Sequence, residues 1–182
     1  MPADRDGARA AGAGPADFVD ATLFMGMHSK DDTVRAAAKT FFARRLAAGE
    51  AGRVVMSWEQ VGRCDDLVWG YGRSVQDDYY PFMDVLHTDL AIDRIGYDED
   101  DVRRAFTTPE LDGLPAHERL LLAQVVGRGG RLYTASPRLS RLTGLPVAPV
   151  AAAEAGEEES FPEPLERLYR RSLVLTVVSE DL

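Results

Sequence analysis

Residues 16–25 read Ala16-Asp17-Phe18-Val19-Asp20-Ala21-Thr22-Leu23-Phe24-Met25, and one acid, Asp20, interrupts the apolar run that starts at Phe18. Phe18, Val19, Leu23, Phe24 and Met25 predict a buried strand. A carboxylate inside a buried run is costly unless a partner or a metal satisfies it. Asp20 therefore either ends the strand and caps a turn at Ala21-Thr22, or stands at the carboxyl end of a central strand. In open α/β sheets that second position is where ligands bind.

Working outward, strand and helix alternate. Residues 29–48 predict a helix: Ser29, Asp31 and Asp32 supply cap and first-turn acids, Val34, Ala37, Phe41 and Phe42 lie on one face, and Gly49 stops it. Arg53-Val54-Val55-Met56 predicts a short strand, and Ser57 caps a helix to about Trp69 with Val61, Cys64 and Val68 on its inner face. Residues 75–87 are dense in acids and aromatics, and Pro81 is expected in the first turn of a helix. Residues 90–95 are a strand or a helix end, and the acids 98–101 open a brief helix to Phe106. Pro115 to Gly127 is a strongly marked, largely buried helix, followed by the strand Arg131-Leu132-Tyr133-Thr134. A short helix over 138–142 and an edge strand over 144–147 complete the pattern. This alternation predicts a three-layer α/β/α fold around a mostly parallel sheet.

The domain organisation expected is a disordered leader (1–15), a domain (16–148), an acidic linker (149–163) and a C-terminal helix-strand extension (164–182). The strand-like stretch 172–178 either completes the sheet or pairs with a second copy. No stretch approaches the roughly 18 apolar residues that span a membrane, and the first fifteen residues lack a secretory apolar core, so a cytoplasmic protein is expected. The single cysteine, Cys64, rules out an internal disulfide and a Cys-rich zinc site. The Ala, Gly and Arg bias is that of a high-GC bacterial genome. A net charge of −9 disfavours tight non-specific binding to nucleic acid.

Three pieces resemble the PIN-like domains, small α/β/α folds that include many metal-dependent ribonucleases. Phe18-Val19-Asp20-Ala21-Thr22-Leu23 resembles the opening strand of that family. Val54-Val55-Met56-Ser57, leading into a helix with acids, is similar to its second strand and Glu-bearing helix. Residues 118–136, from Glu118 through the glycine turn 127–130 to Thr134-Ala135-Ser136, resemble its late helix and the strand end that follows. The resemblance covers about residues 17–148.

It implies an RNA-cleaving site in which acids hold Mg²⁺ or Mn²⁺, since hard oxygen ligands suit hard cations and the metal lowers the pKa of an attacking water. Asp20, Glu118 and either Glu59 or Asp65 would carry the metal, with Glu59 placed beside Asp20 and Glu118 in the catalytic set. Asp66 is a further candidate for the second acid. The chain departs from the family pattern at three points. Ser136 stands where a fourth acid would be and can hold only a metal-bound water. Arg63 lies nearest the expected second acid. Glu118 is found where Asp is more usual. Arg128, Arg131 and Arg138 would contact phosphates.

The alternative is a non-catalytic PIN-like binding or scaffold protein, in which Asp20 and Glu118 bond to turn amides or pair with Arg63 or Arg119. A protein partner or homodimer would then meet residues 77–84 or 174–178. His28, His87 and His117 show no zinc-site spacing. His87 with Asp89, Cys64 and Asp65 is the nearest approach to one, and a Cys64–His87 nucleophilic pair is its counterpart. Cys64 otherwise reads as a small core residue.

Overall fold

In the computed structural model, which describes residues 15–150 and 158–178, Phe18 and Val19 lie on strand β1 (Asp17–Val19) and enter two different cores. The period of two along a strand separates them. β1 is the middle of five strands. The others are β2 (Val54–Ser57), β3 (Ile92–Ile95), β4 (Arg131–Thr134) and β5 (Val147–Pro149), in the order β3-β2-β1-β4-β5. All pairings are parallel, with Phe18 opposite both Val55 and Leu132.

On the Val19 side pack helices α1 (Ala21–Gly26), α2 (Asp32–Ala48), α3 (Trp58–Trp69), α4 (Arg73–Asp89) and α7 (Glu163–Ser172), around Phe24, Phe42, Phe82 and Tyr169. On the Phe18 side pack α5 (Glu99–Thr107) and α6 (Ala116–Gly127), through Leu121, Leu122 and Val125. The expected three-layer α/β/α sandwich is the fold observed. The glycine turn before β4 is sterically required: Gly129 has φ 62°, and a Cβ on Gly130 would fall 2.6 Å from the Phe18 ring. No helix among the described residues is long and apolar enough to cross a membrane.

The structure corrects the sequence reading at several points. The opening strand ends at Val19, and residues 21–26 are helix α1. Ala21, Leu23, Phe24 and Met25 are all buried, so the run carries no helical polar face to betray it. Pro81 lies well inside α4 rather than in its first turn. It removes one backbone bond, while Gln76, Tyr79, Phe82, Met83 and Leu86 bury one face and carry the helix through. The acid-rich segment 77–84 also has partners within the chain. Tyr79 and Phe82 are core residues, Asp78 pairs with Arg171 at 2.5 Å and Asp77 with Arg73 at 2.8 Å.

The C-terminal stretch is a helix followed by turns, not a strand of the sheet. Its only ladder contact among the described residues is a parallel bridge between Val177 and Ser29. Val177 N–H donates to the His28 carbonyl at 2.8 Å, and Lys30 N–H donates to the Val177 carbonyl at 2.9 Å. Phe161, Leu165, Tyr169, Leu175 and Val177 belong to the same core as Phe24 and Phe82, so this segment packs into the sandwich. The C-terminal part of the expected linker packs as well: Phe161 is in the core, and Glu158 joins Glu166 of α7 on the buried Lys39 amine, at 2.7 and 3.1 Å. Residues 1–14 of the expected leader and 151–157 of the linker lie outside the described residues.

Candidate functional site

The strand order reverses between β1 and β4, and the crevice beyond their carboxyl ends is where a doubly wound sheet receives a ligand. Asp20 stands there, directly after β1, and is 1% exposed. Both readings of Asp20 hold at once, because it also caps α1. Its Oδ1 accepts the Leu23 N–H at 2.9 Å and the Thr22 hydroxyl at 2.8 Å, and its Oδ2 accepts the Thr134 hydroxyl at 2.6 Å. Thr22 in turn accepts the Ala135 N–H, and Thr134 the Ser136 N–H, which fastens the ends of β1 and β4 together. Gln60 of α3 accepts the Ala21 N–H at 3.0 Å. Burial pushes the Asp20 carboxyl up to about 6; the bonds from Thr134, Thr22 and Leu23 and the Arg63 charge only partly oppose it.

The other predicted ligands are engaged elsewhere. Glu118, in the first turn of α6, is 4% exposed and takes Arg138 Nη2 at 2.5 Å; its Oε2 is buried without a partner. Arg138, not Arg63 or Arg119, is its counter-charge. Glu59 accepts the Tyr97 hydroxyl at 2.5 Å. Asp65 is exposed and borders, with Tyr80 of α4, a separate cavity between α3 and α4. Asp66 borders, with Thr22 and Arg63, a cavity of about 150 Å³ between α1 and α3. The Ser136 hydroxyl accepts the Leu139 N–H at 3.5 Å. Among the described residues no group of three or more His, Cys, Asp or Glu side chains is arranged to hold a metal ion. Of the arginines expected on phosphate, Arg128 is held by Asp98 and Asp101, and Arg131 opens β4, opposite Asp17 rather than Asp20.

The histidines do not form a site together. His28 bonds the Ser172 hydroxyl through Nε2 at 2.8 Å, within an aromatic cluster of Tyr79, Phe82 and Tyr169. His87 lies tilted against the Phe24 ring, with centroids 4.7 Å apart, and contacts Arg94. Burial holds His28 down to about 3 and His87 to about 4. Burial also pushes the Cys64 thiol far up, so the nucleophilic thiolate is not populated at neutral pH. Burial lowers the pKa of His117, and the charges of Arg63 and Arg138 act in the same direction against those of Glu118 and Glu59.

Over residues 8–182 the chain matches the profile of a family described as "Family of unknown function (DUF6190)". The chain belongs to the DUF6190 family. No curated protein and no solved structure matches it. In this DUF6190 chain Asp20, at the crevice, and Glu118, in the first turn of α6, are both buried; the chain supplies donors to both oxygens of Asp20 and a guanidinium to one oxygen of Glu118.

Tyr97, Thr22, Thr134 and Gln60 are the residues whose roles at the site the sequence reading did not assign. Thr22 and Thr134 had a signal, since both sit at fixed places in the quoted motifs. Arg138 was expected on phosphate, and nothing local to Glu118 points to it.

Proposed function

We propose that this chain is a cytoplasmic, non-catalytic protein of PIN-like architecture that acts by binding. The observation that carries this reading is the charge balance of the two buried acids: Arg138 lies on Glu118 at 2.5 Å. Asp20 has a donor on each oxygen and Arg63 nearby. Guanidinium and hydroxyl groups supply what a divalent cation would supply. Glu59 and Ser136 are committed to Tyr97 and a turn amide. The residues present do not fit Mg²⁺ or Mn²⁺, so no cleavage step is derived through such an ion.

A second reading, the Mg²⁺- or Mn²⁺-dependent ribonuclease, is favoured by the orphaned Oε2 of Glu118 and by the energetic cost of an ionised Asp20. Calorimetric titration with Mn²⁺ at neutral pH separates the two. No saturable binding is expected to the wild type. Saturable binding that Asp20→Asn removes, together with cleavage of RNA that the same substitution abolishes, would overturn the non-catalytic reading.

Asp20→Asn also makes a stability prediction. The amide keeps the cap to Leu23 and bonds Thr134 without a buried charge. Because the Asp20 carboxyl is held near 6, against 3.8 when unfolded, its ionisation at pH 7 costs the native state about 3 kcal/mol. The substitution is expected to raise stability at pH 7 by about 1–3 kcal/mol and to leave it little changed at pH 4. Urea unfolding at the two pH values checks this, and a loss of stability at pH 7 contradicts it.

A further inference from the structure

We propose that the outer face of α3 is a docking surface for a basic, arginine-bearing segment of another protein. α3 turns Gln60, Cys64 and Val68 inward. Its outward arc carries Trp58 and Trp69, 59% and 70% exposed. Eleven residues are close to three helical turns, so the two indoles share one face about 16 Å apart. Gly62 lies between them with open space above it, which leaves a flat saddle. Asp65 borders the indoles on one side, and Asp66 and Glu59 on the other; the exposed Arg63 beside those two leaves the arc net acidic. Asp65 and Asp66 are exposed, and neither is in an ion pair among the described residues.

Tryptophan is usually well buried and is enriched where proteins meet. Here both tryptophans of the chain are exposed on one helix face. The occupant follows from the charges. An arginine guanidinium stacks on an indole and pairs with a neighbouring carboxylate at the same time. A partner helix lying along α3 with arginines eleven positions apart would meet both indoles. RNA phosphate would be repelled by the same carboxylates. A second copy packed isologously would oppose Asp65, Asp66 and Glu59 to themselves. This inference rests on the binding reading above and names its partner class.

The two tryptophans make their own fluorescence the reporter of this face. The probe is an alanine-based helical peptide with arginines eleven positions apart, titrated into the full chain. A saturable blue shift of emission is expected. Asp65→Asn with Asp66→Asn is expected to weaken binding roughly tenfold. A charge-matched control, Asp89→Asn with Glu110→Gln, is expected to change it by less than about twofold. Trp58→Ala and Trp69→Ala each leave one reporter and weaken binding.

The absence of a saturable shift, equal weakening by the control pair, or the same shift produced by a mixed-sequence RNA oligonucleotide would overturn the proposal. Peptide binding without Mn²⁺ binding supports both readings. Neither binding overturns this inference and leaves the non-catalytic reading of the crevice in place. Mn²⁺ binding with peptide binding overturns only the latter.

Discussion

A chain ending at Val150 is expected not to fold. Phe161, Leu165, Tyr169, Leu175 and Val177 are each at most 4% exposed in the full chain. Burying a large apolar side chain contributes about 1.5–3 kcal/mol, so these five approach or exceed the 5–15 kcal/mol that holds a typical domain together. The deletion also strips Lys39, whose side chain is 5% exposed, of both Glu158 and Glu166. An uncompensated buried charge is among the costliest defects. Far-UV circular dichroism and thermal melting would check this; a cooperative melt at the wild-type temperature would sink it. A milder variant keeps the result interpretable. Tyr169→Ala is expected to cost about 3–5 kcal/mol, whereas Tyr169→Phe, which loses only the hydroxyl bond to the Met27 carbonyl at 3.0 Å, costs about 1 kcal/mol.

The second large effect is acid instability centred on His28. Its ring is sealed among Tyr79, Phe82 and Tyr169 and bonded to Ser172, and burial lowers its pKa from 6.5 to about 3. The folded chain therefore stays unprotonated at His28 while the unfolded chain takes up a proton below 6.5. Stability is fully present above that pH and falls as pH drops toward 3. At about 1.4 kcal/mol per pH unit, the whole window costs about 5 kcal/mol. His87, held near 4 by burial and by Arg94, adds up to about 3 kcal/mol over its own window. Asp20 works the other way: the folded chain protonates it first, from about 6 downward, which returns about 3 kcal/mol by pH 3.8. The net expectation is a steady loss of stability between pH 6.5 and 3. The midpoint of urea unfolding should fall across that range, and His28→Gln should flatten the slope by about one proton. A wild-type profile flat from pH 7 to 4 would contradict the assignment.

The alternation of elements was legible because its signals are local. Pro115 and Gly127 bracket α6, Asp31 and Gly49 bracket α2, and Ser57 caps α3; each acts within one helical turn of itself. Phe18 and Val19 likewise declare a strand by their spacing. Residues 21–26 escaped because a six-residue helix buried everywhere but at Thr22 shows no periodicity, and Pro81 because a buried face on α4 outweighed one lost backbone bond. The fate of the C-terminal segment was decided by burial of Phe161 and Tyr169 beside Phe82, a contact between residues about eighty positions apart.

By itself the sequence determined the class of fold and the placing of Asp20 where β1 ends, since composition, caps and period act over a few residues. Only the tertiary structure decided what each acid meets. Thr134 reaches Asp20 across 114 positions and Tyr97 reaches Glu59 across 38, and Arg138 is brought onto Glu118 from beyond β4. Those partners are set by strand order and register. Once they are in place, Asp20 is held by hydroxyl and amide donors and Glu118 by a guanidinium on one oxygen, contacts that no local reading of the sequence contains.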